Sequence, residues 1–106
     1  MDTAILKVEP LYQLAFGSIS ASYALIGQIE NPSQIFMVQN LTNAIITFSN
    51  DGQIDNFQLP PNGFLLLDIG SNKSINKPLS FAAGTCLFCK GSPTSGQVNL
   101  TTWYMG

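Results

Sequence analysis

The stretch from Asn31 to Asn72 constrains the fold more than any other part of this chain. It alternates four short apolar runs with four clusters of Asn, Asp, Gly and Pro. Each run has the length of a β-strand, and each cluster contains residues that tolerate tight turns. The strongest turn signal is Asn50-Asp51-Gly52, because Asp-Gly supplies residues that accept a positive φ. An antiparallel arrangement of short strands with short connections is therefore expected.

The flanking sequence extends the same pattern. Period-two alternation predicts a strand within Ser18–Gly27, through Ile19, Ala21, Tyr23 and Leu25, and a last strand through Val98, Leu100, Thr102 and Tyr104. Seven or eight short strands at this spacing predict an all-β fold, an antiparallel β-sandwich with jelly-roll or Greek-key-like connections. Residues 11–106 are expected to form this single domain. Residues 1–10, which end at Pro10, are expected to be either an N-terminal arm or an edge strand.

Alternation also predicts which side chains face the core. The run Gln34–Gln39 is unbroken and predicts a strand buried on both faces. Ile75–Phe81 is ambiguous, because Pro78 restricts it to an edge strand or a loop. The inward sets predicted for the other strands are Ile46 with Phe48, then Leu65, Leu67 and Ile69 opposite Leu66 and Asp68, and finally Leu87 and Cys89 opposite Cys86, Phe88 and Lys90.

The charge composition narrows the possible partners. Charged residues make up 9% of the chain, with four Lys, no Arg, no His and a net charge of −2, against about 25% in ordinary domains. A nucleic-acid surface needs clustered cations, so no nucleic-acid partner is expected. Two interpretations of the low charge stay open: a neutral polar surface that faces water, or a surface that neighbouring copies cover, which we favour.

Targeting signals are not evident. The segment Met1–Pro10 lacks a basic start followed by a long apolar core, so it does not resemble a secretory signal. Unbroken apolar runs such as Phe64–Leu67 are far shorter than the ~20 residues of a membrane-spanning helix. We therefore expect no membrane partner and synthesis in a cytoplasm.

Two cysteines form a C-x-x-C spacing at Cys86 and Cys89. A redox pair of this kind normally opens a helix, whereas these residues lie in a predicted strand, where positions i and i+3 point to opposite faces. A structural zinc ion needs four ligands, and a chain with two Cys and no His does not supply a usual set. Free thiols that act as small apolar side chains are the expected state.

Other residues that could carry chemistry have simpler interpretations. Asn50, Asp51, Asp55 and Asn56 could gather around Ca²⁺, but their spacing lacks the usual loop pattern and side chains that cap their own turn explain them. Without His, and without a serine in a nucleophile elbow, no enzyme activity is expected. No catalytic, cofactor-binding or metal-binding residue is predicted, and no cofactor. The aromatic residues that could lie outside the core and bind a sugar are Trp103, Tyr104, Phe88, Tyr12 and Tyr23.

Several short segments between Leu14 and the C-terminus form a further pattern: Leu14–Ser20, Tyr23, Asn40, Thr42-Asn43-Ala44, Phe48–Gly52, Leu59-Pro60, Gly63, Leu67-Asp68, Ser71-Asn72-Lys73, and Gly84-Thr85 through Lys90-Gly91. In these segments the chain resembles small virion proteins of tailed bacteriophages. Cys86 and Cys89 depart from the pattern, and residues 1–10 lie outside it.

The resemblance implies a β-sandwich subunit of a bacteriophage virion, assembled in the bacterial host cytoplasm. Its partners would be copies of itself and other virion proteins, namely major capsid, portal or tail subunits. Two positions stay open, a capsid decoration protein or a head–tail connector or tail ring component. The alternative is a receptor- or glycan-binding module that uses Trp103, Tyr104 or Phe88.

Overall fold

Two antiparallel sheets pack face to face in the computed structural model, which describes residues 6–68, 73–74, 77–78 and 81–105. Sheet 1 contains β1 (Leu6–Val8), β2 (Tyr12–Ala15), β4 (Ser33–Asn40), β7 (Phe64–Asp68) and β11 (Gln97–Met105). Sheet 2 contains β3 (Ala24–Gln28), β5 (Ile46–Ser49), β6 (Phe57–Leu59) and β10 (Cys86–Lys90). The short strands β8 (Lys73–Ser74) and β9 (Lys77–Pro78) pair with each other.

The strand order is that of a jelly roll. In sheet 1, β11 is flanked on one side by β1 and β2 in succession and on the other by β4, which pairs with β7. In sheet 2 the order is β3-β10-β5-β6. Apart from the β5–β6 hairpin, the chain crosses from one sheet to the other at each connection between the eight principal strands, β2 to β7 and then β10 and β11. The predicted antiparallel sandwich of jelly-roll type is therefore confirmed.

Inward-facing apolar side chains from both sheets form one core. The fully or nearly fully buried members are Ile19, Ile26, Phe36, Val38, Ile46, Phe48, Leu59, Leu87, Cys89, Val98 and Leu100. The predicted inward faces of β5, β10 and β11 are confirmed, as are Leu65 and Leu67 of β7, while Ile69 lies outside the described residues. The alternation of inward and outward residues explains why these predictions are correct. A half-buried strand can place its apolar residues inward in one register only.

Two predictions about which side chains point into the core are wrong. Residues 19–23 are not a strand; the strand is β3, and its inward residue is Ile26, whereas Leu25 is 46% exposed. The chain here passes through a 3₁₀ turn at Phe16–Ser18 and a bend, so the apparent alternation spans two different structures. In β4, Phe36 and Val38 are buried but Met37 is only half-buried, so the strand is not buried on both faces.

The N-terminal segment is an edge strand at Leu6–Val8, which pairs with the end of β11. Glu9 interrupts this edge between β1 and β2, and its own N–H still donates to the carbonyl of Thr102 (3.0 Å). The Glu9 carboxylate is turned into the molecule, where it reaches the β3–β4 connection. Residues 1–5 lie outside the described part of the chain.

Candidate interaction surface

The outer face of sheet 1 is apolar over most of its area. In β11, Val98, Leu100 and Thr102 point into the core, so alternation places Trp103 and Met105 on the opposite side. The same alternation in the neighbouring strands adds further large side chains to this side. Together they define the apolar face: Leu6, Val8, Ile35, Met37, Phe64, Leu66, Trp103 and Met105.

The strand registers make these side chains neighbours rather than scattered residues. Trp103 lies opposite Val8 on one side and Ile35 on the other. Met37 of the central strand β4 lies opposite Leu66 of β7. Directly opposed residues of an antiparallel pair have Cβ atoms about 4.5–5.5 Å apart, so the apolar face is continuous across four strands.

A large fraction of these side chains is exposed. Phe64 is 64% exposed, Val8 56%, Leu66 51%, Leu6 48% and Met105 40%. With strands about 4.8 Å apart and a rise of about 3.3 Å per residue, the face formed by β1, β4, β7 and β11 measures about 400 Å² in plan. Monomeric proteins rarely expose contiguous apolar patches larger than a few hundred Å², and larger ones mark interaction sites.

The polar residues of this face lie at its margins, apart from Thr101 of β11, which lies opposite Met37. By alternation, Asp68 at the end of β7 is the one ionisable side chain that the described strands place on this side. Gln13, Gln39 and Asn99 share a row at the other end. Among the described residues, the buried Oδ1 atom of Asn99 has no hydrogen-bond partner. A buried acceptor without a donor is costly, because it has lost its hydrogen bonds to water.

The outer face of sheet 2 is partly covered by the chain's own loop, although Leu25 of β3 stays 46% exposed. Residues 50–56, between β5 and β6, fold back over this face, and a Cβ at position 52 would lie 3.5 Å from the ring of Phe88. Beside Phe88, the hydroxyl of Tyr23 donates to Oδ1 of Asp55, and Nζ of Lys90 lies 3.1 Å from the same oxygen. The Lys90 Nζ atom also lies 4.6 Å from the centroid of the Tyr23 ring.

The contacts in this cluster shift the pKa values of Asp55 and Tyr23. The hydrogen bond from Tyr23, and then the contact with Lys90, lower the pKa of the Asp55 carboxyl. Desolvation and the same hydrogen bond raise the pKa of Tyr23 to about 12. The Asp55 carboxyl therefore stays ionised and the Tyr23 hydroxyl stays neutral at neutral pH, so neither group gains acid–base reactivity.

Asp51 satisfies the loop that carries it, as the turn-capping interpretation predicts. Its Oδ1 accepts hydrogen bonds from the Ser49 hydroxyl (2.8 Å) and from the N–H groups of Gln53 (2.8 Å) and Ile54 (2.9 Å). These backbone hydrogen bonds lower the pKa of Asp51. Oδ1 of Asn56 accepts from the Asn50 N–H at 2.8 Å. In the described part of the chain, no group of three or more His, Cys, Asp or Glu residues is placed to hold a metal ion.

The two cysteines lie on opposite sides of β10. Cys89 is fully buried in the core, whereas Cys86 lies on the outer side and is partly exposed. Burial raises the pKa of the Cys89 thiol to about 12, which disfavours the reactive thiolate. Both are free thiols, as the sequence predicts, and their placement is that of an apolar core residue and a surface residue.

The aromatic residues considered for sugar binding are not gathered into one platform. Trp103 is on the apolar face of sheet 1 and Phe88 on the outer face of sheet 2. The hydroxyl of Tyr12 donates to the Glu9 carboxylate, and that of Tyr23 donates to Asp55. Tyr104 lies beyond a register shift in β11, opposite Ser33. A stacking surface built from several of these rings is therefore absent from the described structure.

Comparison with known proteins yields a distant structural likeness and no family. No family model matches the chain, and no curated protein matches it. A solved structure that it resembles belongs to Bacillus endospore appendages, described as a family of disulfide-linked pili, at 12% identity and a TM-score of 0.46. The alignment covers 97% of this chain and 90% of the other. A likeness this distant assigns no function.

The predicted bacteriophage function and virion location are wrong, because the protein found by structure comparison is a bacterial appendage protein. The physical reason lies in the residues that carried the resemblance. Asn40 bonds the carbonyls of its own corner, Asp51-Gly52 forms a capped loop, and Gly63 closes a turn onto Pro60. Such residues are required by short connections in any sandwich of this kind, so they indicate the fold and not a particle.

Proposed function

We propose that this chain is a structural, non-catalytic subunit that acts by associating with copies of itself. The observation that carries the proposal is the apolar face of sheet 1. Eight large apolar side chains form one flat surface there, and its charged residue, Asp68, is at the rim. Removal of apolar surface from water is the main driving force of protein association, and this face offers it without charges to desolvate.

The occupant that fits this face is a second copy of the same face. Two such surfaces would cover about 800 Å² together in plan, which is the size of a weak or transient interface. A face with almost no charge opposes no like charges when it meets itself, apart from Asp68 at the margin. The contrast with sheet 2 also favours the proposal, because loop 50–56 and the cluster of Tyr23, Asp55 and Lys90 already cover part of that side and place charged groups on it.

The experiment compares two lysine substitutions by sedimentation velocity over a range of protein concentrations. Met37→Lys places a charge at the centre of the apolar face, where it must be desolvated if two faces meet. Ile54→Lys is the control: its side chain is 65% exposed in loop 50–56, away from that face. We expect wild type and Ile54→Lys to associate alike, and Met37→Lys to associate at least tenfold more weakly. Equal association of all three, or a wild type that stays monomeric at high concentration, would contradict the proposal.

A further inference from the structure

Glu9 is a buried carboxylate that directly follows β1 at the edge of sheet 1. The residue is 4% exposed, and a glutamate is rarely this buried unless it is paired. Each carboxylate oxygen accepts two hydrogen bonds: Oε1 from the Tyr12 hydroxyl and the Glu30 N–H, and Oε2 from the N–H and Nδ2 of Asn31. Since all four partners donate, the site fits the ionised form of the side chain, which only accepts.

Protonation disrupts this arrangement at either oxygen. A proton on Oε2 points at the backbone N–H and the side-chain NH₂ group of Asn31, which can only donate. A proton on Oε1 can be accepted by the Tyr12 hydroxyl, but the hydroxyl hydrogen and the Glu30 N–H then lose their acceptor. Hydrogen bonds to an ionised acceptor are also stronger than those to a neutral one. A neutral Glu9 therefore makes fewer and weaker hydrogen bonds to the β3–β4 connection.

The strand that precedes Glu9 places no side chain in the core. All three residues of β1 are exposed, and they pair with residues 103–105 of β11. Leu6 and Val8 belong to the apolar face, so burial within one chain contributes little to holding β1 in place. Pro10, directly after Glu9, has no N–H, which interrupts the ladder with β11 before β2 begins. Short edge strands with few buried contacts open at a low free-energy cost unless they are anchored.

We infer that Glu9 is an acid-sensitive latch: protonation of its carboxylate releases β1 from β11 and removes Leu6 and Val8 from the apolar face. At neutral pH the ionised carboxylate binds the β3–β4 connection and so anchors the chain immediately after β1. The release of β1 is a property of a single copy. Its effect on association rests on the proposed function, because two of the eight apolar side chains of the face leave with β1.

The elements packed against Glu9 carry few other titratable groups. Burial, and then the hydrogen bond to Glu9, raise the pKa of Tyr12, so this hydroxyl stays neutral in acid. The β3–β4 connection contributes the exposed carboxylate of Glu30, which is the other group of a kind that titrates in acid and therefore needs a control variant. The remaining titratable side chains of these elements are Lys7 on β1 and Tyr104 on β11.

Glu9→Gln tests the latch at neutral pH, because glutamine is a neutral counterpart of protonated glutamate. Trypsin cleaves after lysine, and Lys7 becomes a substrate when β1 leaves β11. We expect cleavage after Lys7 to be about tenfold faster or more in Glu9→Gln than in wild type and in the control Glu30→Gln, while Lys90 in the doubly paired strand β10 stays intact. Digestion of the same chains unfolded in urea corrects for the changed residue near Lys7. No increase at Lys7, or equal rates at Lys7 and Lys90, would overturn the inference, because β1 would then open only with the whole chain.

The wild-type protein provides a second test, which decides if Glu9→Gln does not fold. NMR follows the amide signals of β1 and the side-chain carboxyl signals of Glu9 and Glu30 in dilute protein, from about pH 7 to about pH 3. We expect the β1 signals to move to the positions of an unpaired chain with the midpoint of Glu9, while the amides of Val38 and Leu87 at the centres of the two sheets do not move. Signals of β1 that stay in place, follow Glu30, or move only together with Val38 and Leu87 would overturn the inference.

Sedimentation of the same variants separates the latch from the proposed function. Glu9→Gln should associate about tenfold more weakly than Glu30→Gln, because the face loses two apolar side chains. Release of β1 in a protein that does not associate at all would overturn the proposed function and leave the latch standing. Release of β1 with undiminished association would overturn the effect on the apolar face, because Leu6 and Val8 would then lie outside the contact.

Discussion

Asn40 shows how one residue can fix a corner of the fold. Its side chain is fully buried at the end of β4. The amide nitrogen donates to the carbonyls of Ala44, Leu59 and Pro60, and the amide oxygen accepts from the N–H and the hydroxyl of Thr42. Three carbonyls and a hydroxyl of two connections thus converge on one side chain, so these connections depend on Asn40 for their hydrogen bonds.

Truncation of Asn40 is expected to be costly. Asn40→Ala leaves buried carbonyls without a donor and should lower the free energy of unfolding by about 2–4 kcal/mol, measured by urea denaturation. The control is Asn43→Ala in the same connection, because Asn43 is exposed and bonds only Thr94 among the described residues. That change should cost less than about 1 kcal/mol. Similar losses for the two variants would contradict the role assigned to Asn40.

Glu9 links the N-terminal edge to the β3–β4 connection through a buried carboxylate. The carboxylate accepts hydrogen bonds from the Tyr12 hydroxyl, the Glu30 N–H (3.2 Å), the Asn31 N–H (2.9 Å) and Asn31 Nδ2 (3.2 Å). Burial acts to raise the pKa of Glu9, but these hydrogen bonds together outweigh burial and lower the pKa. The ionised form is therefore the form that the folded protein stabilises.

The stability contribution of Glu9 should consequently depend on pH. A lowered pKa in the folded state means that the contribution is complete above the unfolded pKa of about 4.3 and is lost as the pH falls through the folded pKa. Glu9→Gln should lower the free energy of unfolding by about 2 kcal/mol at pH 7, and the difference from wild type should shrink below about pH 4. Glu30→Gln is the control, because the exposed Glu30 contributes its backbone N–H, which the substitution keeps. A difference that is constant from pH 7 to pH 3 would contradict the account.

At the scale of elements, the sequence predicts the strands that alternate and misses the features that depend on distant partners. The inward residues of β5, β7, β10 and β11 follow from period two. Burial of Glu9 does not, because its donors on Glu30 and Asn31 lie more than twenty residues away in the chain. The sequence also does not predict that the outer side of β4 is half-exposed. An unbroken apolar run gives the same pattern whether its second face is covered by the same chain or by another chain.

The interaction surface could be predicted only in part. Low charge indicated that other copies cover some of the surface, but the position of that surface requires the pairing of β1, β4, β7 and β11, which are far apart in the chain. No sequence period links Val8, Trp103 and Ile35, although they are neighbours in the sheet. Apolar residues at the outward positions of predicted strands, such as Leu66 and Trp103, were the available signal.

The turn that precedes β11 requires a glycine at position 96. Gly96 has φ +86, and a Cβ at this position would lie 2.0 Å from the carbonyl oxygen of Leu41. Gly96→Ala therefore combines backbone strain with a collision against backbone and should lower the free energy of unfolding by more than about 2 kcal/mol. Gly17→Ala, where a Cβ would meet nothing within 4 Å, is the control in thermal and urea denaturation. A near-neutral Gly96→Ala would contradict the described turn.

At the scale of the whole molecule, the distribution of polarity separates one side from the other. The ionisable residues Asp51, Asp55 and Lys90 belong to the sheet 2 side, while the sheet 1 side is apolar up to Asp68. Within the described residues, no helix is long and apolar enough to cross a membrane.

Association through the apolar face should depend little on ionic strength. Apolar burial and backbone hydrogen bonds are not screened by salt, whereas interactions between exposed charges are. Sedimentation between about 0.05 M and 0.5 M NaCl should give association constants within about threefold of each other. A steep loss of association with added salt would show that charged groups, and not the apolar face, hold the copies together.

The most direct test of the account uses the single tryptophan, because Trp103 lies within the apolar face beside Val8 and Ile35. Its fluorescence is measured during dilution from the associated to the monomeric concentration range, with Ile54→Lys and Met37→Lys in parallel. We predict that emission of the wild type and of Ile54→Lys moves to longer wavelength on dilution as the face becomes exposed to water. Emission of Met37→Lys should start at the longer wavelength and stay there. Emission that does not change with concentration, in a wild type that sedimentation shows to associate, would contradict the claim that the apolar face is buried between copies.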